Sequence, residues 1–364
     1  MDITSEISRS LRDYLPWHKA RLDCFVKIII ALLTVKTINW TEWAVAFATD
    51  KANVDSCYNR IKRFFRQFII DSDAVFELLK IWFNLGQEKW FFTLDRTQWE
   101  FGKKKINILV LAVVYKQMAI PIHWKLLNKK GNSNTKERIE VMDWLLARFS
   151  PDRISGLLAD REFIGGEWFG YLKQKNVNFY IRIKSDFIVK QNGKEYNAWQ
   201  LFLNKHKKKP IFMRDPYELL GVSLYLSGMR LDDGDLLIIA STKYDEDSLQ
   251  KYSLRWQIEN LFQSLKGRGF RFEDTHVTSL VKLDKLMTVL TVSFAMAYKI
   301  GYWKHIERKP IKIKKHGRPA YSLFRYGLDL IRDTLLKPKN FFTSAREWLD
   351  ILFFWTPPVD FKIA

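Results

Sequence analysis

Four polar residues at fixed spacing could do chemistry on a polyanion. Tyr252, Arg255, Glu259 and Lys266 follow the pattern Y-x2-R-x3-E-x6-K. Offsets of −7, −4 and +7 residues from Glu259 place all four on one stripe of an α-helix, so the spacing predicts a single helix from Tyr252 to Lys266. A carboxylate binds divalent metal ions, and the three hydrogen-bond donors around it suit phosphate oxygens.

Two further carboxylates follow predicted strands. Asp95 ends the apolar run 89–95 (KWFFTLD), and Asp160 ends the run 154–160 (ISGLLAD). Buried parallel strands are typically short apolar runs, and ligands of open α/β sheets gather at the carboxyl ends of such strands. Together with Glu259, the two aspartates predict a cluster of three carboxylates. Hard oxygen ligands of this kind suit Mg²⁺ or Mn²⁺ rather than zinc.

On these residues the chain resembles the DDE transposases of bacterial insertion sequences, in the group marked by the YREK signature. The four spaced residues carry the resemblance, together with Asp95 in TLDRT and Asp160 in LADREF. The segment 317–330 (GRPAYSLFRYGLDL) is similar to the C-terminal part of that group. The resemblance covers roughly residues 88–335 and implies a core that is similar to ribonuclease H.

The resemblance also implies roles for these side chains. Asp95 would bridge two Mg²⁺ ions, for which Mn²⁺ substitutes, and Asp160 and Glu259 would each bind one. Arg255 and Tyr252 would bind DNA phosphates. The alternative for Arg255 is an ion pair with Glu259 at i,i+4, which contributes only about 0.2–0.5 kcal/mol and leaves both aspartates unexplained.

Two more helix residues are expected to bind DNA. Lys266 would add positive charge near the phosphates. Trp256, which directly follows Arg255, would stack on an unpaired or flipped base. Packing of Trp256 in the core is the alternative.

Composition points to the same class of partner. The net charge of +20 and a pI near 9.7 predict a polyanion, with DNA favoured and acidic lipid as the other candidate. The 47% hydrophobic content allows a large core. Cys24 and Cys57 lack metal-type spacing, which favours a protein of the reducing cytoplasm. We expect this protein to associate with the nucleoid. The apolar runs 24–35 and 286–298 fall short of the roughly 20 residues that cross a bilayer.

The order of elements predicts an α/β protein with a ribonuclease-H-like mixed sheet. We expect strands 90–95, 106–114 and 117–124, helix 135–149 capped by Thr135, strand 154–160, helix 166–175, strand 178–183, and a hairpin that turns at Asn192 and Gly193. The predicted domains are a helical DNA-end-binding domain (1–87), the first part of the core (88–185), an inserted β-subdomain (186–241), the second part of the core with the Glu259 helix (242–307), and a basic linker with a helical tail (308–364).

Recognition of DNA ends is assigned to the N-terminal helices. In the segment 58–68, basic and aromatic residues alternate, so this helix can enter a DNA groove. Packing of its aromatic face in the core is the alternative, and both can hold together. A protein that starts near Glu88 is expected to keep the catalytic fold and lose end preference. The basic loop 205–209 is expected to be a solvated turn, with phosphate contact as the alternative, and the basic linker 308–319 is expected to be extended and close to DNA. The candidate base readers are Arg60, Arg63 and Arg66.

These observations predict a cut-and-paste transposase that uses Mg²⁺ and acts as a homodimer on terminal inverted repeats and target DNA. A non-catalytic DNA-binding protein derived from such an enzyme and a metal-dependent nuclease are the alternatives. Members that form hairpin ends carry a tryptophan on the inserted strand before the glutamate helix. The comparable strand here, 236–240, has none, and Trp199 is the only tryptophan of the insertion, which argues against the hairpin route.

Overall fold

The structure of this protein is a computed structural model. It describes residues 3–49, 52–86, 88–102, 104–203, 208–337 and 341–358, without the side chains of 341–344. The chain forms two compact units. The helical unit consists of Met1–Gln87, Trp99–Ile106 and Phe262–Ala364, and the sheet unit consists of Glu88–Gln98 and Asn107–Leu261.

Helices dominate the helical unit, and the predicted helical N-terminal segment is confirmed. Asn39, Asn53 and Asp71 precede three of these helices, and each side chain accepts hydrogen bonds from first-turn amides. No helix among the described residues is long and apolar enough to cross a membrane. The helices of this unit are α1 (Ile3–Leu11), α2 (Lys19–Val35), α3 (Trp40–Phe47), α4 (Val54–Gln67), α5 (Ser72–Phe83), and, later in the chain, α10 (Leu280–Trp303), α11 (Leu323–Leu336) and α12 (Phe341–Phe353).

Two glycines let α10 and α11 cross at very short distance. A Cβ atom added to Gly301 would lie 2.0 Å from the carbonyl oxygen of Leu323, and one added to Gly327 would lie 1.9 Å from that of Ala297. Neither backbone can withdraw without separating the two helices. The contact therefore requires the absence of a side chain at both positions.

Buried lysines tie α10 to the N-terminal helices. The Lys285 ammonium donates to the carbonyl oxygen of Phe65 at 3.0 Å, and that of Lys299 donates to those of Trp82 and Leu352. Burial lowers the pKa of Lys299 to about 7. In a protein that starts near Glu88, Lys285 would lose the carbonyl of Phe65 and Lys299 would keep only that of Leu352. This loss argues against the expectation that such a protein keeps its fold.

One large mixed sheet organises the sheet unit. Its strand order is β3-β2-β1-β4-β5-β11-β10-β9-β6-β7, with β8 paired to β10. β4 runs parallel to β1 and β5, whereas β2 and β3 are antiparallel. The strands are β1 (Trp90–Phe101), β2 (Lys104–Tyr115), β3 (Met118–Leu126), β4 (Ile154–Ala159), β5 (Phe179–Ile183), β6 (Ile188–Gln191), β7 (Lys194–Asn197), β8 (Ile211–Phe212), β9 (Tyr217–Leu219), β10 (Val222–Arg230) and β11 (Leu236–Ser241).

Two helices of the sheet unit, α6 (Thr135–Leu146) and α7 (Gly166–Gln174), lie where the sequence predicts them. The predicted cap Thr135 is wrong by one residue. Asn134 accepts from the amide of Glu137, whose side chain accepts from the amide of Asn134 in return. This reciprocal pair satisfies two first-turn donors, which a threonine inside the helix cannot do.

The strands of residues 186–241 continue the core sheet. β11 pairs antiparallel with β5, and β10 pairs with β11. The predicted turn of the β6–β7 hairpin is confirmed, since Asn192 and Gly193 both have positive φ, 51° and 76°. The description of this segment as an inserted subdomain stays a prediction. Residues 205–207 of the predicted basic loop 205–209 lie outside the described residues.

We expect Gly327→Ala to lower the free energy of unfolding by about 1–3 kcal/mol, because the added methyl forces α10 and α11 apart. Urea unfolding of the full chain, followed by circular dichroism, measures the change. The matched control is Gly170→Ala in α7, where an added Cβ meets nothing within 4 Å. That helix should gain about 0.5–1 kcal/mol. Equal stability of the two variants would contradict the close crossing.

Candidate active site

The register of two parallel strands brings two acidic residues to one edge of the sheet. β1 pairs with β4 so that Leu94 lies opposite Ala159, and the next residue in each chain segment is an aspartate. Asp95 and Asp160 therefore leave the paired region side by side. β1 itself does not end at Asp95, as the sequence predicts, but continues to Phe101.

Asp95 is largely buried, with its side chain 14% exposed, beside the carboxylates of Asp160 and Glu162. Burial, and then the neighbouring carboxylate of Asp160, raise the pKa of Asp95 to about 7. Opposing contributions come from the backbone amide of Arg96, which donates to Asp95 Oδ1 at 2.7 Å, and from the Arg255 guanidinium. A carboxylate in this position favours a nearby cation, because positive charge stabilises its ionised form.

An ion pair fixes the backbone next to both aspartates. Arg96 follows Asp95, and its guanidinium binds both carboxylate oxygens of Glu162, with Nε–Oε1 at 2.9 Å and Nη2–Oε2 at 3.0 Å. The amide of Glu162 donates to Asp160 Oδ1 at 2.8 Å. Asn107 accepts from Arg96 at 3.1 Å. The pair thus joins the two chain segments directly after the two acidic residues.

A buried arginine, Arg138, binds the backbone of Glu162, one partner of this ion pair. Arg138 on α6 is 5% exposed and donates to the carbonyl oxygens of Glu162 and Ser133, at 3.0 and 2.7 Å. Sequence reasoning missed Arg96, Glu162 and Arg138. The sequence could have indicated two of the three, since Arg96 lies in the motif TLDRT and Glu162 in the motif LADREF.

The predicted single helix from Tyr252 to Lys266 is wrong, because the chain forms two helices, α8 (Ser248–Ser253) and α9 (Trp256–Leu265). Between them the amide of Arg255 donates to the carbonyl of Tyr252 at 2.9 Å, and that of Ile258 to that of Arg255 at 3.1 Å. These i to i+3 bonds tighten the turn. A continuous helix would place Tyr252 and Trp256 on one face, whereas Tyr252 is 7% exposed and Trp256 is 56% exposed.

Arg255 joins two of the three predicted carboxylates. Its Nη2 lies 2.6 Å from Glu259 Oε1, and its Nη1 lies 3.4 Å from Asp95 Oδ2. Its buried Nε has no hydrogen-bond partner among the residues that the structure describes. The ion pair with Glu259 is therefore present, as the alternative for Arg255 expects. It does not explain the arrangement alone, since the same guanidinium also reaches Asp95 from 160 residues along the chain.

Tyr252 and Trp256 have opposite environments. The Tyr252 ring packs in an apolar cluster with Leu158, Tyr180 and Leu249, and burial raises the pKa of its hydroxyl. The Arg255 guanidinium lies 5.7 Å from the ring centroid. The exposure of Trp256 excludes the core-packing alternative for that side chain. Phosphate binding by Tyr252 and base stacking by Trp256 stay predictions.

The remaining predicted DNA-binding residues lie in the helical unit. Lys266 is half-buried, burial lowers its pKa, and its ammonium lies 5.3 Å from the centroid of the Trp99 ring. On α4 the apolar side chains face inward and the arginines outward, so both interpretations of this helix hold in structural terms. Its buried side chains are Cys57, Ile61, Phe64 and Phe65, and its exposed cations include Arg60, Arg63 and Arg66.

The donor set fits a divalent cation in its chemistry. Asp95, Asp160 and Glu259 offer oxygen ligands only, and charge repulsion at Asp95 favours cation binding. Within the described part of the chain, however, no group of three or more histidine, cysteine, aspartate or glutamate side chains is arranged to hold a metal ion. Arg255 explains this, since its guanidinium lies between Asp95 and Glu259 and compensates their charge.

Comparison with known families agrees with this site. Residues 84–296 match the family described as the transposase DDE domain. The matched region contains all three carboxylates and covers more than half of the chain. No curated protein matches the chain significantly. Assignment to the YREK group stays a prediction, but the extent of the family match shows that the chain belongs to the transposase DDE domain family.

Proposed function

We propose that this protein is a cut-and-paste transposase that binds the terminal inverted repeats of its insertion sequence and catalyses metal-dependent DNA cleavage and strand transfer. One observation carries the proposal: Asp95 and Asp160 leave paired parallel strands side by side, and Arg255 joins Asp95 to Glu259. Membership of a transposase family and the net charge of +20 support it.

The three carboxylates would hold the metal, which we propose to be two Mg²⁺ ions with Mn²⁺ as a substitute. Asp95, Asp160 and Glu259 would all serve as oxygen ligands of these ions. Such a pair of ions neutralises charge on the attacking and the leaving oxygen of a phosphodiester. The protein positions the ligands: the Arg96–Glu162 pair fixes the backbone that follows Asp95 and Asp160.

Arg255 would change partners during the reaction. In the structure its guanidinium compensates Asp95 and Glu259, and its Nε is unpaired within the described residues. The planar fork of Arg255 would bind a DNA phosphate with two parallel hydrogen bonds. A cation held by Asp95 and Glu259 would supply the positive charge that Arg255 gives them in this structure. Trp256 directly follows Arg255 and is exposed, so it would stack on a base beside that phosphate.

The DNA partners would be the terminal inverted repeats and the target duplex, with the protein acting as a homodimer in the synaptic complex, in the cytoplasm at the nucleoid. The exposed arginines of α4 would read base edges in a groove, because phosphate contacts alone carry no sequence information.

Replacing any of the three carboxylates should abolish cleavage. We expect Asp95→Asn, Asp160→Asn and Glu259→Gln each to lower the rate of Mg²⁺-dependent cleavage of end-bearing DNA at least about 100-fold, since each removes a charged metal ligand. DNA binding, measured by fluorescence anisotropy, should survive. The control is Asp186→Asn, an exposed acid of the sheet unit. If any of the three variants cleaves DNA at the rate of the wild-type protein, the metal-site assignment is refuted. If the wild-type protein cleaves DNA but does not join the ends to a target, a metal-dependent nuclease is favoured.

The substitution Arg255→Lys distinguishes the contribution of the positive charge from that of the planar guanidinium group. Lysine keeps the positive charge but cannot bind a phosphate through a planar fork. We therefore expect Arg255→Lys to retain thermal stability and to lose cleavage rate by about 100- to 1,000-fold, a size typical of losing one preorganised donor. Arg255→Ala should lose more. Arg182→Ala, which removes an ion pair with Asp235, is the control. A cleavage rate of Arg255→Lys equal to that of the wild type would return Arg255 to a purely structural role.

Substitution on α4 tests end recognition within the intact chain. We expect the triple variant Arg60→Gln, Arg63→Gln and Arg66→Gln to reduce the ratio of affinities for inverted-repeat and random DNA, because lost base contacts cost about 1–3 kcal/mol each. Competition binding at fixed salt measures the ratio. If both affinities fall by the same factor, these arginines contact phosphates only, and base recognition lies elsewhere.

A further inference from the structure

A large groove in the helical unit is lined by cations that have no part in the candidate active site. Its volume is about 1010 Å³. The lining comes from the end of α2, the start of α3, Tyr58 of α4, the segment 267–279, and the starts of α10 and α11. Two acids, Glu42 and Asp274, also line it. The cations are Lys36, Arg268, Arg271, Lys282 and Arg325.

More positive than negative side chains line this groove, five cations against the two acids Glu42 and Asp274. Burial lowers the pKa of Lys36, and the guanidinium groups of Arg325, Arg332 and Arg271 lower it further, while Asp329 alone opposes them. Arg325 has a partner, since its Nε lies 2.6 Å from Asp329. These three guanidinium groups therefore repel the ammonium of Lys36, and the Asp329 carboxylate opposes that repulsion. An anionic ligand would relieve this repulsion.

Backbone amides add to the attraction for anions. Ser279, which precedes α10, lines the groove, and so does Trp40 at the start of α3. The next amide of α3, that of Thr41, already donates to Asn39 Oδ1 at 2.9 Å. The N-terminal end of a helix carries partial positive charge and unpaired N–H groups. Within the described chain, the Ser279 side chain makes no capping hydrogen bond to the first turn of α10. The groove therefore combines side-chain cations with amides that suit phosphate oxygens.

The rings at the groove favour a duplex over a single strand. The Trp40 ring stacks on Phe65 with centroids 4.6 Å apart, and the His276 ring stacks on Phe101 at 4.7 Å. Binding of single strands relies on aromatic faces that are open to the bases. Here Phe65 covers one face of the Trp40 ring and Phe101 covers one face of the His276 ring, so the groove offers mainly contacts to the backbone.

We propose that this groove binds the phosphodiester backbone of duplex DNA without reading its sequence. It would be a further DNA-binding site, in addition to the candidate active site and the exposed arginines of α4. The choice of DNA as the polyanion rests on the proposed function. The groove would raise affinity for any duplex, whereas discrimination between sequences would depend on other residues.

The test removes three exposed cations from the groove of the full-length protein. The groove variant carries Arg268→Gln, Arg271→Gln and Arg325→Gln, and the control variant carries Arg12→Gln, Lys19→Gln and Lys194→Gln, which are exposed and outside the groove. Both lose the same net charge. Affinity for a short random-sequence duplex is measured by anisotropy at several salt concentrations. We expect the slope of log affinity against log salt to fall by about 2.7 in the groove variant, at about 0.9 per lost phosphate contact, and to stay unchanged in the control.

Equal slopes for the groove variant, the control variant and the wild type would overturn the proposal. Stronger competition by a single strand than by the duplex would overturn the choice of duplex DNA. If the triple variant fails to fold by circular dichroism, Arg268→Gln alone should lower the slope by about 0.9. Mg²⁺-dependent cleavage is assayed on the same wild-type sample. Absence of cleavage with a reduced slope in the groove variant would refute the proposed function and leave the groove assignment standing.

Discussion

Burial of Asp95 beside Asp160 is the constraint on which the site depends. Parallel pairing of β1 with β4 forces the two acids together, and burial with mutual repulsion raises the pKa of Asp95 to about 7. Two carboxylates in this setting need a positive group. Arg255 supplies it, since its guanidinium reaches both Asp95 and Glu259. The Arg96–Glu162 pair holds the adjoining backbone, so the repulsion cannot be relieved by separation of the two segments.

The interruption between α8 and α9 follows from the same constraint. Tyr252 completes an apolar cluster with Leu158 and Tyr180, while Arg255 must reach Asp95. A straight helix would also bury Trp256, four residues after Tyr252. The tight i to i+3 turn at Arg255 satisfies these requirements together and leaves Trp256 exposed. Helical spacing alone predicted one stripe, because it assumes one axis and carries no information about what each face contacts.

Local pattern predicted much of this protein. Apolar runs located the core strands, the Asn-Gly pair located a hairpin turn, and the amphipathic pattern of α4 located its buried face. The failures concern contacts between residues far apart in sequence. The Arg96–Glu162 pair spans 66 residues, and the bond from Lys285 to the Phe65 carbonyl spans 220. Contacts of this kind leave no periodic pattern in the sequence. The ion pair beside the candidate active site and the hydrogen bonds that join α10 to the N-terminal helices could therefore be found only in the folded structure.

Positive charge has two different physical forms in this protein. Arg255 is buried, paired with carboxylates and fixed in direction, so its interactions depend on geometry and are little screened by salt. Arg268, Arg271 and the other groove cations are mostly exposed, and their interactions with a polyanion are screened and broad in direction. A buried guanidinium suits the positioning of one phosphate, and exposed cations suit affinity for many. The net charge of +20 is thus a sum of unlike contributions. In the proposed function, the salt dependence of DNA binding would report mainly the exposed cations, and the rate of cleavage would report mainly Arg255.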